Sequence, residues 1–233
     1  MTGNRVGARR ARTRNKALAL TATGVVLAAA ITVPSLAAWT DIEWVIGGAG
    51  ADDTTGGGIT ASTFEVEQAA LQDGENFGHY ETEAGANVIS FGDAAAALTP
   101  GDTVYAFVRL RTVTGSLGGT LTLAADTDTS TNALADVLTY GARTVASPAA
   151  CNAAGYTGAG SNELQAPGTP LDEVAPTATF SLGAATAAAP GPEVVVCFAL
   201  TLPDTQAIRD NDALQSLSVA PVWHFDAVSV STP

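Results

Sequence analysis

The chain alternates between apolar and polar residues through most of its length, which is the pattern of half-buried β-strands. The clearest case is residues 104–113, where one face carries Val104, Ala106, Val108 and Leu110. The opposite face carries Tyr105, Phe107, Arg109 and Arg111. We expect this second face, with its two arginines, to meet solvent or a partner.

The same reasoning predicts about eight strands separated by turn residues. They are predicted over residues 59–68, 86–91, 104–113, 120–124, 137–145, 177–182, 193–202 and 217–230. Residues 148–177, rich in Gly, Pro and Ala, are predicted to form a long loop, and residues 203–214 to hold one short helical turn. The dipeptide Pro100-Gly101 suits the centre of a type II turn. The predicted fold class is therefore all-β: an antiparallel two-sheet sandwich, jelly-roll-like, with a free N-terminal strand.

The first 38 residues are predicted to be a signal peptide. A basic stretch is followed by an apolar run over residues 17–33, and Pro34 ends that run. The small residues that follow place the expected cleavage after Ala38, which leaves Trp39 as the new N-terminus. An uncleaved membrane anchor is the alternative interpretation, since about 17 residues is near the lower limit for crossing a bilayer.

Residues 39–58 are predicted to be a donor-strand segment with a glycine-rich tether, ahead of a β-sandwich domain over residues 59–233. Residues 39–46 are apolar and β-prone, and six glycines follow within residues 47–58. If residues 39–46 are extended, one face carries the better groove-filling side chains: Thr40, Ile42, Trp44 and Ile46. The other face carries Trp39, Asp41 and Glu43.

The charge of the chain is strongly asymmetric. The formal net charge is −13, but six of the ten basic residues precede position 17. From residue 39 onward there are four arginines, no lysine and all 23 acids, which gives −19. A surface this negative repels phosphate backbones, so a nucleic-acid partner is excluded.

Two cysteines, Cys151 and Cys197, are the only ones in the chain. Behind an export signal, such a pair predicts one disulfide. Two free thiols would be exposed to oxidant outside a cell. A metal site would need more ligands than this pair and the distant His79 and His224 supply.

The motifs of common enzyme chemistry are missing from the sequence. The two histidines are far apart, so no helical zinc motif with paired histidines can form, and no Gly-x-Ser-x-Gly elbow or phosphate-binding Gly-Lys-Ser/Thr is present. We therefore predict no catalytic residues, no metal, no cofactor and no enzymatic activity.

Three segments carry a resemblance to a known family. The first segment is Ala37-Ala38-Trp39-Thr40-Asp41, at the expected cleavage site. The second is Leu98-Thr99-Pro100-Gly101-Asp102, which precedes an alternating strand. The third is Asn211-Asp212-Ala213-Leu214-Gln215, and the strand that follows it ends in Trp223-His224-Phe225-Asp226-Ala227. In this order they resemble the TasA/camelysin family, bacterial matrix fibre proteins with a SipW-dependent signal peptide. The long glycine stretch, the cysteine pair and the missing lysines depart from that pattern.

The resemblance and the segment after the cleavage site imply a secreted structural protein of an extracellular fibre or biofilm matrix. We expect it to assemble by N-terminal strand addition, with further copies or related surface proteins as partners and signal peptidase acting during export. The alternative is a monomeric cell-surface binding module. In that interpretation the N-terminal strand folds back onto its own domain, and the loop over residues 148–177, with an exposed Tyr156, makes the contact.

Overall fold

The computed structural model describes residues 61–125, 132–171, 173 and 178–230. These contain eight strands: β1 (Val66–Ala70), β2 (Thr103–Thr112), β3 (Gly119–Ala125), β4 (Thr139–Val145), β5 (Asn162–Pro170), β6 (Thr179–Leu182), β7 (Val194–Thr201) and β8 (Trp223–Ser229). Two four-residue α-helices are α1 (Ala153–Tyr156) and α2 (Gln206–Arg209). Short 3-10 turns lie at Leu71–Asp73, Glu83–Gly85, Asp93–Ala97, Pro148–Ala150 and Asp212–Leu214. The predicted signal peptide, its cleavage site at Ala38 and Trp39, the donor strand and the tether lie outside the described residues.

The strands form two antiparallel sheets. The larger sheet has the order β1-β2-β7-β4-β5, and the smaller has the order β6-β3-β8. Five of the seven connections between consecutive strands cross from one sheet to the other. The predicted all-β, antiparallel two-sheet sandwich is confirmed.

The core lies between the inner faces of the two sheets. Alternation places every second side chain of a strand on this face, so the apolar set of β2 points inward, as predicted. Opposite it, β3 contributes Leu121 and Leu123, which are 0% and 3% exposed. Phe198 of β7 and Tyr140 of β4 fill the centre and are each 1% exposed.

Strand β7 is buried on both faces because the large sheet has a second cover on its outer side. Outward side chains Val195, Cys197 and Ala199 pack with Tyr156 in a separate apolar cluster. The segment before and within α1 reaches this cluster and is joined to β7 by the disulfide Cys151–Cys197, with 5.3 Å between the Cα atoms. The predicted disulfide is confirmed.

Tyr156 and residues 148–177 differ from the prediction. Tyr156 is 3% exposed rather than a surface aromatic, because the disulfide draws its segment onto the sheet. The predicted loop contains α1 and the edge strand β5, whose pairing with β4 shifts register twice. Residues 162–170 have the proline and glycine content of a loop, but they form a strand because prolines are tolerated on edge strands.

The predicted strand over residues 86–91 is not formed. Ile89 and Phe91 pack against the core while Val88 is 72% exposed, so the side chains alternate as expected. The segment has no ladder partner among the described residues, however, and leads into the 3-10 turn Asp93–Ala97. Alternation here reflects a one-sided apolar contact rather than a sheet.

The turn before β2 is confirmed. Gly101 has a φ of 99°, which a type II turn requires at its third residue, and the Asp102 amide donates to the Thr99 carbonyl at 2.9 Å. The Asp102 carboxylate also accepts from the Thr99 amide and hydroxyl, at 2.8 and 2.7 Å. These two hydrogen bonds hold the pKa of Asp102 below its ordinary value.

The arginine face of β2 is covered by the protein itself. Arg109 is 7% exposed and pairs with Glu75 and Glu193 at 3.2 and 3.5 Å. The ring of Phe77 lies against both guanidinium groups. The expectation that this face meets solvent or a partner is therefore wrong, because the segment after β1 folds over it.

Candidate functional site

An apolar groove opens between an edge of the large sheet and an edge of the small sheet. Strand β1 borders it on one side and β8 on the other, and the cavity has a volume of about 870 Å³. Its floor reaches the core through Val108, Leu110, Leu121 and Phe198. The part of the chain that the structure describes therefore leaves the sandwich open along this side.

The wall on the β1 side comes from residues 64–68. Residues 63–65 pair with the loop after β2: the Leu117 amide donates to the Thr63 carbonyl at 2.9 Å, and the Val113 amide to the Glu65 carbonyl at 3.1 Å. Phe64 then turns inward, and its ring packs directly on the Gly119 backbone, where any side chain would collide with it. This contact bounds one end of the groove.

The wall on the β8 side is aromatic. The ring of Trp223 stacks on Phe198 with 4.6 Å between centroids and lies 6.4 Å from Phe91. Phe225 packs edge-on against Phe180 at 5.8 Å. Because Phe91 belongs to the segment that crosses from β1, the Phe91–Trp223 contact bounds the other end of the groove.

Carboxylates surround the mouth of the groove. Glu65, Glu67, Glu81, Glu83 and Asp226 all line it. Glu67 pairs with Arg111 at 2.6 Å, while Glu65 and Asp226 lie 3.4 and 3.8 Å from the imidazoles of His79 and His224. An apolar floor inside an acidic rim favours an occupant that presents apolar side chains to the floor, and it disfavours an anionic group at the floor.

The described residues bring together no catalytic arrangement. His79 pairs with Glu65 and His224 with Asp226, each on its own side of the groove and without a nucleophile hydrogen-bonded to it. Within residues 61–125, 132–171, 173 and 178–230, no group of three metal-ligating side chains is found. No helix in this same part of the chain is long and apolar enough to cross a membrane.

Most of the predicted site residues are not placed. The donor-strand residues Thr40, Ile42, Trp44 and Ile46 lie outside the described residues, and the disulfide lies on the outer face of the large sheet, away from the groove lining. Trp223 and Phe225 were not predicted as groove residues. Their alternation with His224 and Asp226 shows that they point inward, but nothing in the sequence shows that β8 ends a sheet.

No protein-family model matches this chain, and no curated protein matches it either.

Proposed function

We propose that this protein is an exported structural subunit that assembles into an extracellular fibre or matrix by strand addition. The observation that supports the proposal is the groove that the described residues form between β1 and β8, at whose floor core side chains are accessible to an added chain. A sandwich with this opening carries unpaired backbone groups along its edges, and such edges pair with an extended segment from another chain.

The proposed occupant is the segment of residues 39–46 from a second copy. Eight extended residues span about 26 Å, which is comparable to the seven residues of β8. One face of the segment carries Ile42, Trp44 and Ile46, which suit the apolar floor. The opposite face carries Asp41 and Glu43, which remain in water at the mouth.

A fibre follows from the asymmetry of this contact. Each copy offers a segment at one place and a groove at another, so the contact is head-to-tail. A head-to-tail contact that does not close into a ring continues as a filament. The same asymmetry leaves one unfilled groove at one end of each filament and one unpaired segment at the other.

Deletion of residues 39–46 tests the proposal. The two sheets and their core are built from residues 63–230, so the shortened chain is expected to fold. It should elute as a monomer and form no fibres by electron microscopy, whereas the chain that begins at Trp39 polymerises. Fibres from the shortened chain would refute the proposal.

A matched pair of substitutions separates the two faces of the segment. Trp44→Ser removes an inward side chain and should abolish assembly, while Glu43→Ser changes its neighbour on the outward face and should leave assembly intact. Equal effects of the two substitutions would mean that the segment does not bind as a strand with one buried face.

The alternative is a monomeric binding module. The volume of the groove falls within the range of small-ligand pockets, about 300–1,000 Å³. In that case the chain that begins at Trp39 stays a single monomer peak at high concentration, and the deletion changes only its thermal stability.

A further inference from the structure

The two edges that border the groove differ in how many backbone groups they leave open. In antiparallel pairing, the amide and carbonyl of one residue point to the same side, and successive residues point to opposite sides. Glu65 accepts from Val113 and so faces β2, which means that Phe64, Val66, Gln68 and Ala70 face away from β2.

The edge of β1 is half covered by the chain that follows it. Gln68 and Gly78 exchange both backbone hydrogen bonds, each at 2.9 Å. The Ala70 amide donates to the Asp73 carboxylate at 2.7 Å. Hydrogen bonds from the Asn87 side chain and from this amide hold the pKa of Asp73 below its ordinary value, so the carboxylate stays an acceptor at neutral pH. On this edge, Phe64 and Val66 are the residues whose amide and carbonyl both lack a partner in the described part of the chain.

Among the residues that the structure describes, no strand or loop pairs with the outer edge of β8. The Val230 amide donates to the Gly118 carbonyl at 3.0 Å, so even-numbered residues of this strand face β3. Trp223, Phe225, Ala227 and Ser229 therefore turn their amides and carbonyls away from β3. None of these groups has a hydrogen-bond partner among the residues that the structure describes.

Strand β8 also lacks three of the features by which proteins protect an edge: a bulge, a proline and a lysine. Its pairing with β3 is continuous from Trp223 to Ser229 without a bulge, and it contains neither proline nor lysine. Its inward side chains Trp223 and Phe225 line the groove, so an added strand at this edge would lie directly over the apolar floor.

We propose that the incoming strand pairs with β8 and not with β1, which extends the small sheet from three strands to four. This inference rests on the proposed function and takes residues 39–46 of a second copy as the occupant. Counted over the described residues, four residues of β8 have an amide and a carbonyl without a partner, against two on the β1 side. The segment between β1 and β2 pairs with part of the edge of β1, which leaves β8 as the docking edge.

Proline substitution at the two edges tests this choice. At Ala227 and at Val66 the amide faces the groove, so proline removes an outward donor without breaking a ladder bond within the sheet. Ala227→Pro should raise the critical concentration for assembly about tenfold, the effect of one lost hydrogen bond. Val66→Pro should leave it within about twofold. The reverse result would assign the strand to β1 and overturn the inference.

A second pair of variants changes a side chain and keeps every backbone amide of the strand. Ala227→Lys places a charge on the groove side of β8, which blocks strand addition, whereas Val228→Lys places the same charge on the outer face, where Val228 is 68% exposed. Only the first should prevent assembly. Equal assembly of both variants would overturn the inference.

Hydrogen exchange gives a direct readout on the unmodified chain. In the fibre, the outward amides of Trp223, Phe225, Ala227 and Ser229 should become protected relative to the monomer, and those of Phe64 and Val66 should change little. Loss of assembly on deleting residues 39–46, together with protection only at residues 64–68, would refute docking on β8 and leave the proposed function standing. Assembly that survives the deletion would refute the proposed function itself.

Discussion

The ring of Phe77 lies under the guanidinium of Arg111, with 3.6 Å between the ring centroid and the central guanidinium carbon. Arg109 approaches the same ring at 4.9 Å. Glu75 pairs with Arg109, and Glu67 pairs with Arg111. The next residue, Gly78, pairs with Gln68 on the edge of β1. The arginines of β2 thus hold in place the segment that covers half of the neighbouring edge.

Phe77→Ala should release this cover. We expect a loss of about 1–2 kcal/mol in the free energy of unfolding, from the lost cation–π contacts and apolar packing. The amides of Gln68 and Gly78 should exchange faster. Urea unfolding and hydrogen exchange measure the two effects. Phe77→Leu, which keeps an apolar side chain but no ring, serves as the control, and unchanged exchange at Gln68 in Phe77→Ala would contradict the assignment.

Removal of the disulfide should destabilise the domain without changing its sheets. The two cysteines are 46 residues apart, and loop-entropy arguments assign a bridge of this length roughly 4 kcal/mol. Thermal melts with and without reductant, and of the double variant Cys151→Ala/Cys197→Ala, measure the loss. The far-ultraviolet spectrum at low temperature should stay that of a β-protein. An unchanged melting temperature would show that the cluster around Tyr156 is stable without the bridge.

Alkaline pH should destabilise the fold through buried tyrosines. Burial raises the pKa of Tyr156 to about 12, while an exposed tyrosine ionises near pH 10. Between these values the unfolded chain loses a proton that the folded chain retains, so stability falls as pH rises. Burial also raises the pKa of Tyr140 and of Tyr105, which add to this loss.

Two phenylalanine variants separate the tyrosines. The Tyr156 hydroxyl is buried with no partner among the described residues, so Tyr156→Phe should leave the free energy of unfolding at pH 7 unchanged. It should also make the free energy of unfolding fall less steeply at alkaline pH. The Tyr140 hydroxyl donates to the Glu173 carbonyl at 3.3 Å, so Tyr140→Phe should cost about 1 kcal/mol. Urea unfolding at pH 7 and at pH 11 gives both quantities.

Salt should promote assembly if the proposed strand addition is correct. Asp41 and Glu43 would then lie at a mouth that already carries Glu65, Glu81 and Asp226. The screening length falls from about 30 Å at 0.01 M to about 10 Å at 0.1 M ionic strength, so this repulsion weakens as salt is added. Turbidity or light scattering across this range measures it. The double variant Asp41→Asn/Glu43→Gln should assemble with little dependence on salt.

The strands with clean alternation were predictable from sequence. Strand β2 was predicted within one residue at each end, and β7 lies within the predicted residues 193–202, since its continuous apolar run suits a strand buried on both faces. Strand β1 was harder to locate: Phe64 and Val66 alternate as expected, but Thr63 and Glu65 pair with the loop after β2, so the ladder begins only at Val66.

The groove was not predictable, because it depends on which strands end the two sheets. The burial of Arg109 and Tyr156 was missed for a related reason, since distant segments cover each of them. In one case a loop is held by Phe77, and in the other a helix is held by a disulfide. Periodicity assigns a side chain to a face of a strand, and only the topology determines what that face meets.

The distribution of basic side chains also determines where trypsin-like proteases can cut this domain. From residue 17 to the end of the chain there is no lysine, and trypsin-like enzymes would have to cut after one of four arginines. Arg109, Arg111 and Arg143 lie within paired strands and are bound to glutamates, while Arg209, at the end of α2, has a side chain that is 52% exposed. Enzymes that need a lysine or arginine thus have one accessible cleavage site in the folded domain, at Arg209, and reagents that attack lysine side chains find no lysine beyond residue 16.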